Sequence, residues 1–280
     1  MTYKHLVVHV DGGERAGERL DLAVKLAQRW GARLTGLFAE GQTWGTSLAR
    51  STRTPRQPYG AALKSAKARF DEKVRAAGIP SEWWFVADRE IEIGGVAARF
   101  CRYADLSLIG QPDPDDGRAP PDLAEQILLE SGRPILIIPA IGRYPDVGQR
   151  VLVAWNGARE AARAVNDAIP LMAGAEKVLV VDLKTPRAAR QKDDKQQTSI
   201  LRHLEAHGIA AEKERIIVAE DEARSSGVDM LNTLLNRSSD FGADLVVMGA
   251  RGKHGVPFPR PGRSTRKSLQ SMIAPVLLSM

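Results

Sequence analysis

One short pattern occurs twice in this chain, and this repeat constrains the fold more than any other feature. The segment 103–110 reads YADLSLIG, and the segment 242–249 reads GADLVVMG. A second pair precedes them, because LVVHVDG at 6–12 matches VLVAWNG at 151–157: an apolar run, a short polar residue and a glycine. Self-similarity over such a distance indicates that one structural unit is used twice.

Each half alternates apolar runs with helical patterns. Continuous Val/Ile/Leu runs separated by helices are typical of a parallel sheet covered on both faces. We therefore predict an α/β fold made of two tandem doubly wound units, each an open five-stranded parallel sheet with helices on both faces. The predicted helices span residues 14–30, 61–77, 91–102, 159–172, 193–207 and 223–238. The predicted later strands span 33–38, 81–86, 134–138, 177–182, 212–218 and 275–278.

The length of 280 residues allows two domains of ordinary size. We predict a first domain at 1–142 and a second at 143–280, joined by the glycine-bearing segment 142–148. Closing strands at 135–138 and 276–278 are plausible edges at which the two units pair as an internal pseudo-dimer. Dimerisation of the whole chain and the identity of a protein partner are left open.

Composition excludes several classes of protein. Cys101 is the single cysteine, so a disulfide framework and a cysteine-based metal cluster are excluded. The apolar start of the chain predicts a strand rather than a signal peptide, and no apolar run is long enough for a membrane span. The net charge of +6 is dispersed over helical patterns, which favours solvated faces over nucleic-acid binding. We expect a soluble cytoplasmic protein.

Candidate site residues lie where strands of the second half end. Ligands of open α/β sheets bind at the carboxyl ends of strands, near the switch in strand order. Asn156 and Gly157 follow the first strand of this half, Asp182 and Leu183 end the second, and a basic loop follows Gly249 after the fourth. The sequence predicts that these positions converge.

The loop after Gly249 has the composition of an anion site. Glycines let backbone N–H groups approach an anion, and a helix start adds unpaired N–H groups and partial positive charge. Between positions 251 and 267 there are six Lys or Arg residues and no acidic residue. The residues predicted to form this site are Gly249, Arg251, Gly252, Gly262, Arg263, Ser264 and Thr265.

This arrangement resembles the universal stress protein family in its tandem two-domain form. The family's motif is Gly-two residues-Gly-nine residues-Gly after the fourth strand, and Gly249, Gly252 and Gly262 match its spacing. The resemblance implies that the second half binds ATP or a related adenine nucleotide, with Mg²⁺ accompanying it. It implies that the glycine loop holds phosphates and ribose and that the adenine meets the strand end near Leu183. The implied role is a stress-response protein that signals or protects without being an enzyme, with slow ATP hydrolysis left open.

Two departures from the family pattern keep an alternative open. Asn156 stands where the family usually has aspartate, and Arg263 follows the third glycine where a small residue is usual. The alternative is an interaction scaffold of the same family that has lost nucleotide binding. An enzyme of the wider adenine-nucleotide-binding group is the weakest hypothesis, because the sequence contains no evident acid/base pair or metal set.

The first half lacks the glycine loop. An acidic stretch, QPDPDD at 111–116, follows Gly110, and like charges repel phosphate. We therefore predict that this half binds no nucleotide. A cation site on Asp113, Asp115 and Asp116 is conceivable, but a solvated acidic turn is favoured. A metal site on His203 and His207 is likewise less favoured than solvated histidines at a helix end.

Overall fold

The computed structural model describes residues 2–13, 15–41, 59–88, 93–111, 123–184, 194–218, 228–250 and 272–280. In the first half the strands and helices follow the predicted order and lie close to the predicted bounds. They are β1 (His5–His9), α1 (Ala16–Trp30), β2 (Arg33–Gly41), α2 (Tyr59–Ala77), β3 (Ser81–Asp88), α3 (Ile93–Cys101), β4 (Leu106–Gly110), α4 (Leu123–Ser131) and β5 (Ile135–Ile138).

The second half repeats this order as far as it is described; residues 251–271, between its last two strands, lie outside the described residues. Its first helix occupies the predicted range, and its third begins at residue 228, after a segment outside the described residues. The elements are β6 (Arg150–Ala154), α5 (Arg159–Met172), β7 (Lys177–Lys184), α6 (Asp194–Ala206), β8 (Ala211–Ile217), α7 (Val228–Phe241), β9 (Leu245–Gly249) and β10 (Val276–Ser279).

All ten strands form one sheet, in the order β3-β2-β1-β4-β5-β10-β9-β6-β7-β8. Within each half the pairing is parallel, so the predicted α/β class is confirmed. In each half the strand order changes direction between the first and the fourth strand: β1 beside β4, and β6 beside β9. These two switch points are where the fold leaves a crevice for a ligand.

The two halves meet at a seam formed by their closing strands. β5 and β10 pair antiparallel, with Leu136 opposite Leu277 at the centre of the register. The predicted pairing of these edges is therefore confirmed, and it joins two five-stranded sheets into one. Because all four residues of each seam strand are buried, the seam belongs to the hydrophobic core.

Helices cover both faces of the sheet, as predicted. One hydrophobic cluster lies under α1, α2, α5 and α6, and the other lies under α3, α4 and α7. Each cluster contains residues from both halves, so burial of apolar area stabilises the halves together as well as separately. Within the part of the chain that the structure describes, no helix has the length and apolarity to cross a membrane.

The aspartates of the two repeated Ala-Asp-Leu stretches anchor the start of the first strand of each half. The Asp105 carboxylate accepts hydrogen bonds from the backbone N–H groups of Lys4, at 2.7 Å, and His5, at 3.0 Å. The Asp244 carboxylate accepts them from residues 148, 149 and 150, at 3.1, 2.9 and 3.0 Å. The repeat thus identifies a structural device that fixes the register of neighbouring strands.

The predicted glycine caps terminate α2 and α6. Gly78 and Gly208 have φ values of +64° and +74°, which glycine adopts without the strain of a Cβ. After α2, the N–H groups of Gly78 and Ile79 donate to the carbonyls of Arg75 and Val74, which satisfies the last turn of the helix.

Candidate functional site at the second switch point

A cavity of about 180 Å³ opens where β6 and β9 diverge. Its walls come from the ends of β6, β7 and β9 and from the start of α5. The lining residues are Ala154, Trp155, Asn156, Ala158, Glu160, Ala161, Val181, Leu183, Met248 and Gly249. Three of the predicted site residues, Asn156, Leu183 and Gly249, therefore meet in one cavity, as strand-end convergence predicts.

Asn156 shapes the passage from β6 into α5. Its side-chain Oδ1 accepts a hydrogen bond from the backbone N–H of Ala158 at 2.9 Å, which forms an Asx turn. Gly157 completes the turn with φ +74°, a conformation that favours glycine. Gly157 itself does not line the cavity; its role in the structure is to bring the helix start beside the strand ends.

Gly249 lets β9 pass directly against α5. A Cβ at this position would lie 2.4 Å from the backbone carbon of Glu160 and 2.5 Å from the backbone nitrogen of Ala161. Backbone atoms of a helix cannot move aside as a flexible side chain would, so only glycine fits. The contact brings the start of α5, where the helix dipole places a partial positive charge, to the end of β9.

Alternation along β7 separates two of the predicted site residues. Leu183 points into the cavity, whereas Asp182 points to the opposite face of the sheet. There the buried Asp182 carboxylate lies 3.6 Å from the Nζ of Lys184 and 3.7 Å from the Nε of Arg215. The structure thus places Asp182 in an ion cluster and does not bring it to the cavity.

Glu160 is a cavity residue that the sequence patterns missed. It lies in the first turn of α5, its side chain is only 11% exposed, and its Oε1 accepts a hydrogen bond from the Nε of Arg159 at 3.0 Å. A signal was present in the sequence, because Glu160 falls on the helix stripe that continues through Ala164 and Ala168, which are both buried. An acidic residue on an apolar stripe predicts a buried carboxylate, which proteins seldom bury without partners.

The remaining residues of the predicted anion site lie outside the described residues. These are Arg251, Gly252, Gly262, Arg263, Ser264 and Thr265. The same holds for the acidic residues Asp113, Asp115 and Asp116. Within the described ranges, no group of three or more His, Cys, Asp or Glu side chains is arranged to hold a metal ion. The ring centroids of His203 and His207 lie 4.8 Å apart.

The equivalent crevice of the first half is filled by a buried ionic cluster. Arg19, on α1, reaches the strand ends, where its Nη2 donates to the Asp11 carboxylate at 2.8 Å and its Nε donates to the His9 carbonyl at 2.8 Å. Its guanidinium packs against the end of β4, because a Cβ at Gly110 would lie 2.3 Å from Nη1 of Arg19. The arginine thus occupies the space between β1 and β4.

Burial and charge set the protonation of this cluster. Burial by itself raises the pKa of Asp11, but the Arg19 guanidinium and a backbone N–H from Gly13 outweigh it and hold the pKa at about 2. Burial lowers the pKa of His9 to about 4 despite the neighbouring carboxylate. At neutral pH the cluster is therefore an Asp11–Arg19 ion pair beside a neutral histidine.

The internal repeat pairs His9 and Asp11 with cavity residues of the second half, and Arg19 with a buried residue of α5. Extending the match of 6–12 with 151–157 without a gap places His9 opposite Ala154, Asp11 opposite Asn156 and Arg19 opposite Ala164. Arg19 and Ala164 are both buried in the first helix of their half, which supports the pairing. Small, uncharged residues therefore replace the ionic cluster, and the cavity remains open.

Comparisons with known proteins agree with this architecture. The model of the universal stress protein family matches residues 148–279. A universal stress protein from Archaeoglobus fulgidus is 15% identical, with 98% of this chain and 97% of that chain covered and a TM-score of 0.67. A putative universal stress protein from Pseudomonas aeruginosa is 13% identical, with 99% and 93% covered and a TM-score of 0.63. These likenesses concern the fold of the whole chain.

A universal stress protein from Archaeoglobus fulgidus in complex with dAMP matches about half of the chain. It is 21% identical, with 49% of this chain and 98% of that chain covered, at a TM-score of 0.35. No curated protein matches. Residues 148–279, the second half of the chain, therefore form a domain of the universal stress protein family, and the first half repeats the same α/β architecture.

Proposed function

We propose that the second half binds ATP or a related adenine nucleotide in the cavity at its switch point, and that the protein acts as a stress-response signalling or protective module. The observation that carries the proposal is the cavity itself, which ends at Gly249, the first glycine of the family's nucleotide spacing. Strand ends, a helix start and a glycine approach meet there in the manner of nucleotide sites in open α/β sheets.

The size and polarity of the cavity support one orientation of the ligand. A volume of about 180 Å³ is below the several hundred Å³ of sites that enclose a whole drug-sized ligand. The cavity therefore suits the nucleoside portion, with phosphates leading outward past Gly249, the residue after which the basic stretch of the sequence begins. Mg²⁺ would accompany the phosphates rather than the cavity, because hard cations bind phosphate oxygens.

Binding without catalysis is the role that the cavity residues support. Glu160 is the ionisable side chain among the lining residues in the described part of the chain. A hydrolytic mechanism needs a positioned base together with groups that stabilise the charge developing on the phosphate. We therefore propose a nucleotide sensor, with any ATP turnover slow.

A scaffold that has lost nucleotide is the second candidate, and Asn156 favours it. Its Oδ1 is engaged by the Ala158 N–H, and the amide lacks the charge of the aspartate that the family usually has there. Such a scaffold would keep the fold and the seam while the cavity holds only water. The two candidates make opposite predictions for nucleotide titration.

Calorimetric titration of the full chain with ATP, ADP and AMP, with and without Mg²⁺, separates the candidates. We expect saturable binding at one site per chain. Ala158→Phe should abolish it, because the aromatic ring enters the cavity. Ala162→Phe, one turn along α5 and outside the cavity lining, is the matched control and should bind as the wild type does. Absence of binding at millimolar nucleotide would reject the sensor in favour of the scaffold.

A further inference from the structure

The carboxylate of Glu160 sits where packing alone calls for an apolar side chain. Ala161, Ala164 and Val165, its neighbours on the buried stripe of α5, are all apolar. Its Oε1 accepts a hydrogen bond from Arg159, whose side chain is 73% exposed. The position equivalent to Glu160 in the first half is Arg15, whose exposed side chain pairs with Glu18 instead. An acid at the cavity wall therefore has no counterpart in the half whose crevice is filled.

A carboxylate on the wall of a cavity restricts which part of a nucleotide lies beside it. An ionised carboxylate only accepts hydrogen bonds, and its two oxygens offer about four acceptor sites. It repels a phosphate at close range. The ligand group next to Glu160 must therefore donate hydrogen bonds, as a sugar hydroxyl or an amine does.

The strand order decides between the sugar and the base. Gly249, on β9, lies against the backbone of Glu160, whereas Val181 and Leu183 come from β7, on the other side of β6. The apolar end of the cavity on β7 suits the flat base. The end of the cavity at β9, beside Glu160, suits the ribose, because in the proposed orientation the phosphates leave the cavity past Gly249.

We propose that Glu160 accepts hydrogen bonds from the ribose hydroxyls of the bound nucleotide and makes the site selective for a free ribose diol. This inference rests on the proposed nucleotide site. The selectivity has a chemical corollary: a 3′,5′-cyclic nucleotide, whose 3′ oxygen is esterified to phosphate, lacks one donor and brings negative charge toward the carboxylate. It binds more weakly than the corresponding linear monophosphate.

The test compares AMP, 2′-deoxy-AMP, 3′-deoxy-AMP and 3′,5′-cyclic AMP by calorimetry on the full-length protein. The wild type should bind AMP about tenfold more tightly than at least one deoxy form, which is the effect of one hydrogen bond to a charged group. In Glu160→Ala the affinity for AMP should fall by a similar factor, and the preference over the deoxy forms should disappear. Glu160→Gln, which keeps one acceptor oxygen but no charge, should retain part of the preference.

Glu18→Ala is the matched control, since Glu18 is a first-turn acid of the equivalent helix, paired with Arg15. It should leave both affinity and preference unchanged. Equal affinity of the wild type for AMP and its deoxy forms, or a preference that survives in Glu160→Ala, overturns the inference while the nucleotide site stands. Tighter AMP binding by Glu160→Ala also overturns it, since the carboxylate would then only repel phosphate. If none of the four nucleotides binds the wild type, the proposed function itself fails.

Discussion

The crevice between β1 and β4 and the crevice between β6 and β9 have the same strand order but opposite contents. The first holds the buried cluster of His9, Asp11 and Arg19, and the second is an open cavity lined in part by Ala154 and Asn156. A guanidinium with a paired carboxylate fills in one half the space that stays open in the other half. The comparison teaches that one copy of a duplicated fold can fill a crevice with its own side chains while the backbone architecture is retained.

Removing the arginine should have the largest effect on stability. In Arg19→Ala the Asp11 carboxylate remains buried without its guanidinium, and a void opens, so the free energy of unfolding should fall by about 3–5 kcal/mol. Urea denaturation followed by circular dichroism measures the change. Arg15→Ala removes an exposed ion pair of the same helix and should cost less than about 1 kcal/mol. An equally small effect of Arg19→Ala would contradict the view that the cluster fills and stabilises the crevice of the first half.

The same cluster should make the protein sensitive to acid. The pKa of His9 is about 4 in the folded state, whereas an unfolded histidine titrates near 6.5, so the unfolded chain binds the proton more tightly. Stability from this group is therefore complete above about pH 6.5 and is lost as the pH falls toward 4, by about 3 kcal/mol. The lowered pKa of Asp11, about 2, adds a further loss between about pH 4 and 2.

His9→Gln keeps a donor for the Ala39 carbonyl but removes the titration. Urea denaturation at pH 7 and pH 4.5 should therefore show a smaller loss of stability in this variant than in the wild type, by about 2 kcal/mol. Identical losses in the two proteins would show that His9 is not the source of the acid sensitivity.

Transplanting the cluster into the second half should close the cavity. The triple variant Ala154→His, Asn156→Asp, Ala164→Arg reproduces the first-half residues, and nucleotide affinity should fall by about a hundredfold or more because contacts worth about 3 kcal/mol are displaced. Asn156→Asp alone is the control, since it restores the residue that the family usually has and should retain binding. Calorimetry with AMP measures both, and undiminished affinity of the triple variant would break the proposed equivalence of the two crevices.

Sequence patterns predicted the parts of this molecule that depend on local periodicity. The repeated segments, the alternation of strands and helices, the caps at Gly78 and Gly208 and the pairing of the closing strands were all accessible from hydrophobic spacing and turn chemistry. The meeting of Asn156, Leu183 and Gly249 followed from the rule that parallel strands end at one edge. Neighbouring residues of a strand point to opposite faces of the sheet, so Asp182 and Leu183 could not both line one cavity. The prediction of Asp182 as a site residue overlooked this alternation.

The charged residues that distinguish the two crevices were not predicted. Arg19 and Glu160 lie on buried helix stripes, and a stripe identifies the inward face without saying what a charged side chain meets there. The partners of Arg19 are His9 at the end of β1 and Asp11 just after it. Whether the arginine side chain reaches them depends on how α1 packs over the sheet. The prediction that the first half binds no nucleotide was based on the acidic residues at 113–116, which lie outside the described residues. Within the described residues, Arg19 fills the corresponding crevice, and no sequence pattern pointed to it.

The antiparallel seam of β5 and β10 has an evolutionary consequence. In a symmetric dimer of a shorter chain, a twofold axis copies every substitution onto both subunits, so both crevices must change together. In this protein the two sides of the seam are encoded separately. An arginine can therefore be inherited on one side and an alanine on the other, so that one crevice can be filled while the other stays open in the same molecule.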